Sequence, residues 1–190
     1  MHTIEPYFNW RDHYIASEDR RSPFYGTVHS EFTFTTKIYN FYIHPQWDDI
    51  GSPTLYAKVI YANYDEGFGV IELMGEWNDC IHNDIMFFKN NVLNHLMKEG
   101  IFRFVILGEN VLNFHFSDDC YYEEWWEETA DEGGWIVGMN FRQHVIEEMN
   151  KIALTNYIFL GGHFNNINWR TLKPHHLCRK IDEIIMKKLA

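Results

Sequence analysis

The sequence predicts an α/β fold: a mixed β-sheet with N-terminal antiparallel hairpin strands, followed by β-α-β-α-β-α units. Three observations carry that expectation. Residues 55–62 and 68–77 are β-rich runs flanking the glycine-closed loop 63–67, as in a hairpin. From Asn78 the apolar spacing changes to three and four residues, the period of a helix. Residues 102–107 are apolar apart from Arg103, the pattern of a strand covered on both faces.

Taken in order, residues 1–31 hold no sustained period and are punctuated by Pro6, Pro23 and Gly26. Tyr7, Phe8, Trp10 and Tyr14 are expected to pin them to the body. Residues 33–43 are dense in β-branched and aromatic side chains, and Pro45 ends them. A helix follows the hairpin, with Asp79 as N-cap, Ile81, Ile85, Phe88, Val92 and Leu96 inward, and Gly100 as the stop. A second helix is predicted over 118–129 and a strand over 134–141. Asn140 then caps a helix whose Gln143 stands at capping-box spacing, with Val145, Met149 and Ile152 inward. A short strand at 157–160 comes next, and Leu177, Ile181, Ile184, Ile185 and Leu189 form the stripe of a closing helix. The division expected is an N-terminal extension, 1–53, packed on an α/β domain, 54–190.

Composition narrows the function classes. The chain has 190 residues, of which 46% are hydrophobic and 17% aromatic, enough for a core without staples. Three separated cysteines, Cys80, Cys120 and Cys178, give no disulfide framework and suit a cytoplasmic setting. Neither a signal segment nor a membrane-length apolar run is legible, so a soluble chain is expected. The net charge is -11, with ten Lys/Arg against 25 Asp/Glu before residue 170. Such a body repels nucleic acid and anionic membranes, so neither is an expected partner.

Particular residues add a resemblance. Residues 70–79, VIELMGEWND, are similar to the Gly-Glu-Leu-Asp-like strand corner of the STAS family, the anti-sigma-factor antagonists and sulfate-transporter tails. The segment 102–119 resembles that family's buried strand leading to an Asp-Ser-Ser-Gly-like loop, and Gly133-Gly134 resembles its later glycine pair. The resemblance spans roughly residues 54–190. It implies a regulatory protein-binding module instead of an enzyme, contacting its partner through the two corners. The family's phosphorylated serine falls at Asp118 here, preceded by Ser117 and followed by Asp119, so the phospho-acceptor does not carry over.

The candidate contact surface is therefore Glu76, Trp77, Asn78, Asp79, Ser117, Asp118 and Asp119, continuing along the acidic helix through Tyr122 and Trp126. Tyr121 and Trp125 accompany these as aromatics, and the partner expected is another protein with a basic surface. Residues 118–132 carry eight carboxylates, and no Lys or Arg occurs between Phe104 and Phe141. The bland alternative is a solvated helix whose aromatics pack on the sheet. A rival reading is a small enzyme on a neutral or cationic substrate. It would use Glu76 and Glu109 as an acid/base pair among the strand-end residues Asp79, Asn110, Asn140, Arg142 and His163. A third is a structural homo-oligomer, a homodimer with an aromatic seam. No cofactor is implied. His175, His176 and Cys178, or His115 near Asp118, lack the spacing of a metal site.

Overall fold

The computed structural model describes residues 4–189, with the Leu189 side chain, expected in the closing stripe, outside the description. Strands β1 (Lys37–Ile38) and β2 (Phe41–Tyr42) form a small hairpin of their own. The main sheet holds β3 (Asp48–Asp49), β4 (Leu55–Asn63), β5 (Phe68–Asn78), β6 (Arg103–His115) and β7 (Trp135–Met139), in that spatial order. Pairing is antiparallel from β3 to β5 and parallel from β5 to β7. The mixed α/β expectation therefore holds, with β6 in the interior and Val105 and Leu107 fully buried.

Helices α1 (Asp79–His82), α2 (Asp84–Phe88) and α3 (Asn94–Lys98) connect β5 to β6, and α4 (Cys120–Asp131) connects β6 to β7. After β7 come α5 (Gln143–Lys151), short 3₁₀ turns and α6 (Pro174–Leu189). Parallel neighbours need crossovers, and crossovers of one hand advancing in one direction lie on the same face. Accordingly Phe88, Leu96, Trp125, Val145 and Met149 share one core with Ile71, Ile106 and Ile136. The opposite face, Val70, Val105 and Val137, is covered by Trp10, Phe164, Trp169, Leu177 and Ile181. Each large side chain so buried contributes about 1.5–3 kcal/mol.

The extension is tied at several points. Trp10 Nε1 donates to the Leu172 carbonyl at 3.1 Å, and Trp10 meets the Trp169 ring edge-on. The Tyr14 and Tyr64 hydroxyls both donate to Asp19, and the Arg21 guanidinium lies 3.8 Å from the Tyr64 ring centre. Buried Asp48 is held by His29 Nε2 at 2.7 Å and Lys58 Nζ at 3.0 Å. Phe8, expected as a fourth anchor beside Tyr7, Trp10 and Tyr14, is 48% exposed.

Other expectations are corrected. Residues 33–43 pair only as the β1–β2 hairpin, in which Ile38 is buried while Phe41 and Tyr42 are exposed. The helix foreseen after Asn78 is broken at Asn83, which is left-handed (φ 52), and widens to a π turn over Lys89–Leu93. Ile81, on the detached first turn, is 74% exposed. The π turn holds a fully buried Lys89, whose Nζ donates to Asn94, Glu124 and Glu128, each at 2.9 Å, clamping α4 in place. Residues 157–160 make a single parallel bridge, Phe159 to Val137, and no strand. Asn140 turns left-handed (φ 56) and caps nothing; Arg142 stands at the start of α5, and Ile152 is only partly buried.

Gly75 (φ +117) sits where β5 shifts register against β6, and an added Cβ would stand 2.0 Å from the Thr54 carbonyl oxygen. Gly133 (φ +68) has open space around it. Gly75→Ala should therefore cost at least about 3 kcal/mol in urea unfolding, backbone strain plus overpacking, and Gly133→Ala only about 1 kcal/mol. Equal losses would mean that the β5 bulge is not held against Thr54.

Candidate functional site

The corner after β5 folds inward. Trp77, Asn78 and Asp79 are 1%, 5% and 4% exposed, so they present no surface to a partner. Asp79 Oδ1 accepts from Trp77 Nε1 at 3.1 Å and the Ile85 N–H at 2.9 Å, while its Oδ2 accepts from the Tyr122 hydroxyl at 2.6 Å. Asp84, which the sequence did not single out, accepts from Ser52, Thr54 and the Asn78 N–H. Two aspartates thus knot β5, the loop 52–54, α2 and α4 together. Asp79 is not the N-cap of α1; Asn78 is, through its side-chain oxygen to the Ile81 N–H. Burial pushes the Asp79 carboxyl up to about 6 despite its three donors, and raises Asp84 as well. It also lifts the Tyr122 hydroxyl far above its ordinary range.

The strand-end residues divide into separate groups. Glu76 takes the Tyr39 hydroxyl at 2.8 Å and Asn113 Nδ2 at 3.2 Å. Glu109 takes both Arg170 nitrogens at 2.7 Å, with Asn140 Nδ2 and Trp169 Nε1 on the same carboxylate. They share no partner, and the acid/base pair expected from Glu76 and Glu109 is not assembled. Arg142 reaches the Glu109 carbonyl at 3.4 Å, and His163 is exposed.

The carboxylate beside Glu109 is Glu72, from the middle of β5. It is 2% exposed and accepts from the Tyr7 N–H at 2.8 Å and Asn110 Nδ2 at 3.0 Å. Burial, reinforced by the negative charge of Glu109, pushes it up to about 7, against the opposing pull of Tyr7, Arg170 and Asn110. Burial opposes ionisation of Glu109 too, but Arg170 with Asn140 and Trp169 outweighs it and holds the carboxyl below its ordinary value. One strand residue of unbroken apolar neighbours gave no sequence signal beyond being charged inside a strand pattern. Together with residues 4–9 the group borders a recess of about 230 Å³.

On α4, Tyr122 and Trp125 are fully buried, Trp77 stacks on Tyr122, and Trp125 packs edge-on to Phe88 and Phe104. Tyr122 is thus core and no contact residue, the correction that Trp77, Asn78 and Asp79 also require. Ser117, Asp118, Asp119 and Trp126 are exposed, and Glu76 is half-buried. Asp118 is not the cap: its Oδ1 accepts from the Cys120 N–H at 3.3 Å, while Asp119 stands at the N-cap position and receives the Tyr157 hydroxyl at 2.9 Å. Exposed apolar side chains concentrate in the extension, at Val28, Phe32, Tyr39 and Phe41. Among the described residues no cluster of three His, Cys, Asp or Glu could hold a metal, and no helix could cross a membrane.

Glu72 makes stability depend on pH. Its folded pKa lies above the ordinary 4.5, so the native state binds more protons than the unfolded one between those values, and stability falls as pH rises through 7. From pH 6 to 8 this one group should remove roughly 1 kcal/mol, a drop that Glu72→Gln abolishes. Urea midpoints at both pH values check this, and an undiminished slope in Glu72→Gln would assign the effect elsewhere.

No protein-family model matches the chain, and no curated protein does. Among solved structures it is similar to a Thermotoga maritima protein whose name assigns it to the anti-sigma factor antagonists. The match has 12% identity and a TM-score of 0.43, covering 58% of this chain and 87% of the other. The architecture given above follows from the strand order and pairing.

Proposed function

We propose that the chain is a non-catalytic regulatory module that binds another protein through the exposed face of α4 and the loop before it. The charge on that face carries the reading. Glu124 and Glu128 are answered by Lys89, whereas exposed Asp118, Glu123, Glu127, Asp131 and Glu132 have no ion pair among the described residues. Glu123 and Glu127, then Glu127 and Asp131, stand four apart, a spacing at which like charges repel by about 0.2–0.5 kcal/mol per pair. Asp131 and Glu132 also lie at the helix end whose dipole favours cations. A basic partner would relieve all of these at once, with exposed Trp126 as the aromatic anchor. The first contact corner reduces to Glu76 in this reading.

The rival enzyme reading moves from Glu76 to Glu72 with Glu109. Both Glu72 oxygens are already engaged, by Asn110 and the Tyr7 N–H, which supports a structural part for that pair.

Asp118 separates charge from capping. Asp118→Asn keeps an acceptor for the Cys120 N–H and should change stability by only a few tenths of a kcal/mol. Affinity for a partner captured from the cell of origin should fall about tenfold, and further in Glu123→Gln/Glu127→Gln/Asp131→Asn. Calorimetry with the captured protein measures both, and unchanged affinity in the two variants would remove the acidic face from the interface.

A further inference from the structure

A cavity of about 750 Å³ lies at the other end of the parallel strands, where β6 and β7 begin. That is the size of a small-ligand site and larger than stray surface relief. Phe102, Trp135 and Phe159 border it from the sheet side, and Trp126 and Tyr157 stand beside them with ring centres 6.3 Å apart. One polar group within it has no use in the fold. Thr129 is 1% exposed, borders the cavity, and its hydroxyl has no hydrogen-bond partner among the described residues. A buried hydroxyl left so is costly, and a ligand group that reached it would recover the loss.

Charge selects the ligand. Asp65, Glu66, Glu132 and Asp182 border the cavity against a single cation, Arg103. Arg103 is already engaged by Asp182 and by the Glu66 carbonyl oxygen, so among the described residues that border the cavity none is a free cation; Lys188 Nζ stands outside the lining, 5.9 Å from the Phe159 ring centre. Helix α4 ends at the same place, one turn past Thr129, and adds the partial negative charge of its C-terminus. Aromatic faces beside carboxylates are the surroundings in which a desolvated ammonium is stabilised.

We propose that this cavity binds a small organic cation, an ammonium group carried on an apolar body of aromatic size. The body packs against Trp126, Tyr157 and Phe159. The ammonium donates to Thr129 Oγ1 and is balanced by Glu132, one helical turn further on. Trp126 belongs also to the face proposed for the protein partner, but buried Thr129 belongs to the cavity alone.

The test uses the full chain and three probes sharing one ring: tryptamine, neutral indole-3-acetamide and anionic indole-3-acetate, followed by calorimetry. Tryptamine should bind with a millimolar or lower Kd, the amide about tenfold more weakly and the acetate not detectably. Thr129→Val removes a hydroxyl that no protein atom uses, so it should leave the melting temperature unchanged or higher while weakening tryptamine about fivefold. Glu132→Gln, exposed and unpaired, should weaken it about threefold and flatten its salt dependence. Equal binding of amine and amide, no heat with about 5 mM tryptamine, or full affinity in Thr129→Val would each overturn the proposal. The partner face shares Trp126 and Glu132 with the cavity but not Thr129, so the amine series and Thr129→Val test the cavity without bearing on partner binding.

Discussion

The parallel pairing of β6 with both its neighbours is the constraint from which the architecture follows. A parallel pair cannot be closed by a tight turn, so β5–β6 and β6–β7 each need a helical crossover. Both crossovers advance in the same direction, and their helices fall on one face of the sheet. The other face would be left as a bare row of Val70, Val105, Leu107 and Val137. It is covered by the two ends of the chain, α6 from one side and the segment around Trp10 from the other. Tyr7 and Trp10 are therefore one wall of the second core, while Ala16, Phe24 and Ile50 join the first and Ile38, Ile43 and Trp47 pack with Tyr56 and Met74.

Inside that frame, charge is buried in four places, and each fixes a joint between elements. Asp48 ties β3 to Lys58 of β4 and to His29 of the extension. Asp79 and Asp84 join β5 to the helices that leave it; Lys89 joins the π turn to α4; Glu72 joins β5 to the extension. Buried ionised groups contribute little net stability, but removing one partner is expensive, so such groups specify geometry more than they strengthen it. The outcome on α4 is a division of labour across one helix. Its aromatic side is used up by the sheet, and its carboxylates, apart from the two facing Lys89, are directed outward.

Much of this was legible in the sequence, for physical reasons. The β-rich runs of the hairpin 55–77, the continuous apolar run after Phe102 and the three- and four-residue stripe of the closing helix are local patterns that report burial directly. Ile81 misled because it fits a helical repeat that Asn83 interrupts, and Asp79 and Asp84 on either side of the break are held across the fold by Tyr122 and by Ser52 and Thr54. Tyr122 and Trp77 were readable as aromatics near acidic corners, but whether such residues face in or out depends on the neighbouring layer. Glu72 was invisible as a site because its partners, Tyr7, Asn110 and through Glu109 also Arg170, lie 65, 38 and 98 positions away in the chain. Single-sequence spacing cannot register such distances. Ser117, Asp118, Asp119 and Trp126, singled out by the resemblance and by the acidic aromatic run, are exposed.

The anchoring of the extension has a consequence for how the chain is made. Tyr7 and Trp10 donate to the carbonyls of Arg170 and Leu172, 163 and 162 residues later. The strands, by contrast, pair in the order in which they are synthesised. On a ribosome β4 to β7 can assemble as they emerge, each new strand adding beside the last. The arm around Tyr7 and Trp10 can meet Glu72 and Tyr61 early, but its bonds to Arg170 and Leu172 must wait for the segment that follows β7. Its closure is the step with the longest loop, hence the late one. Until the segment from Phe164 to Ile185 arrives, Val70 and Val105 stand largely uncovered, which leaves the partly made chain open to aggregation and to chaperones.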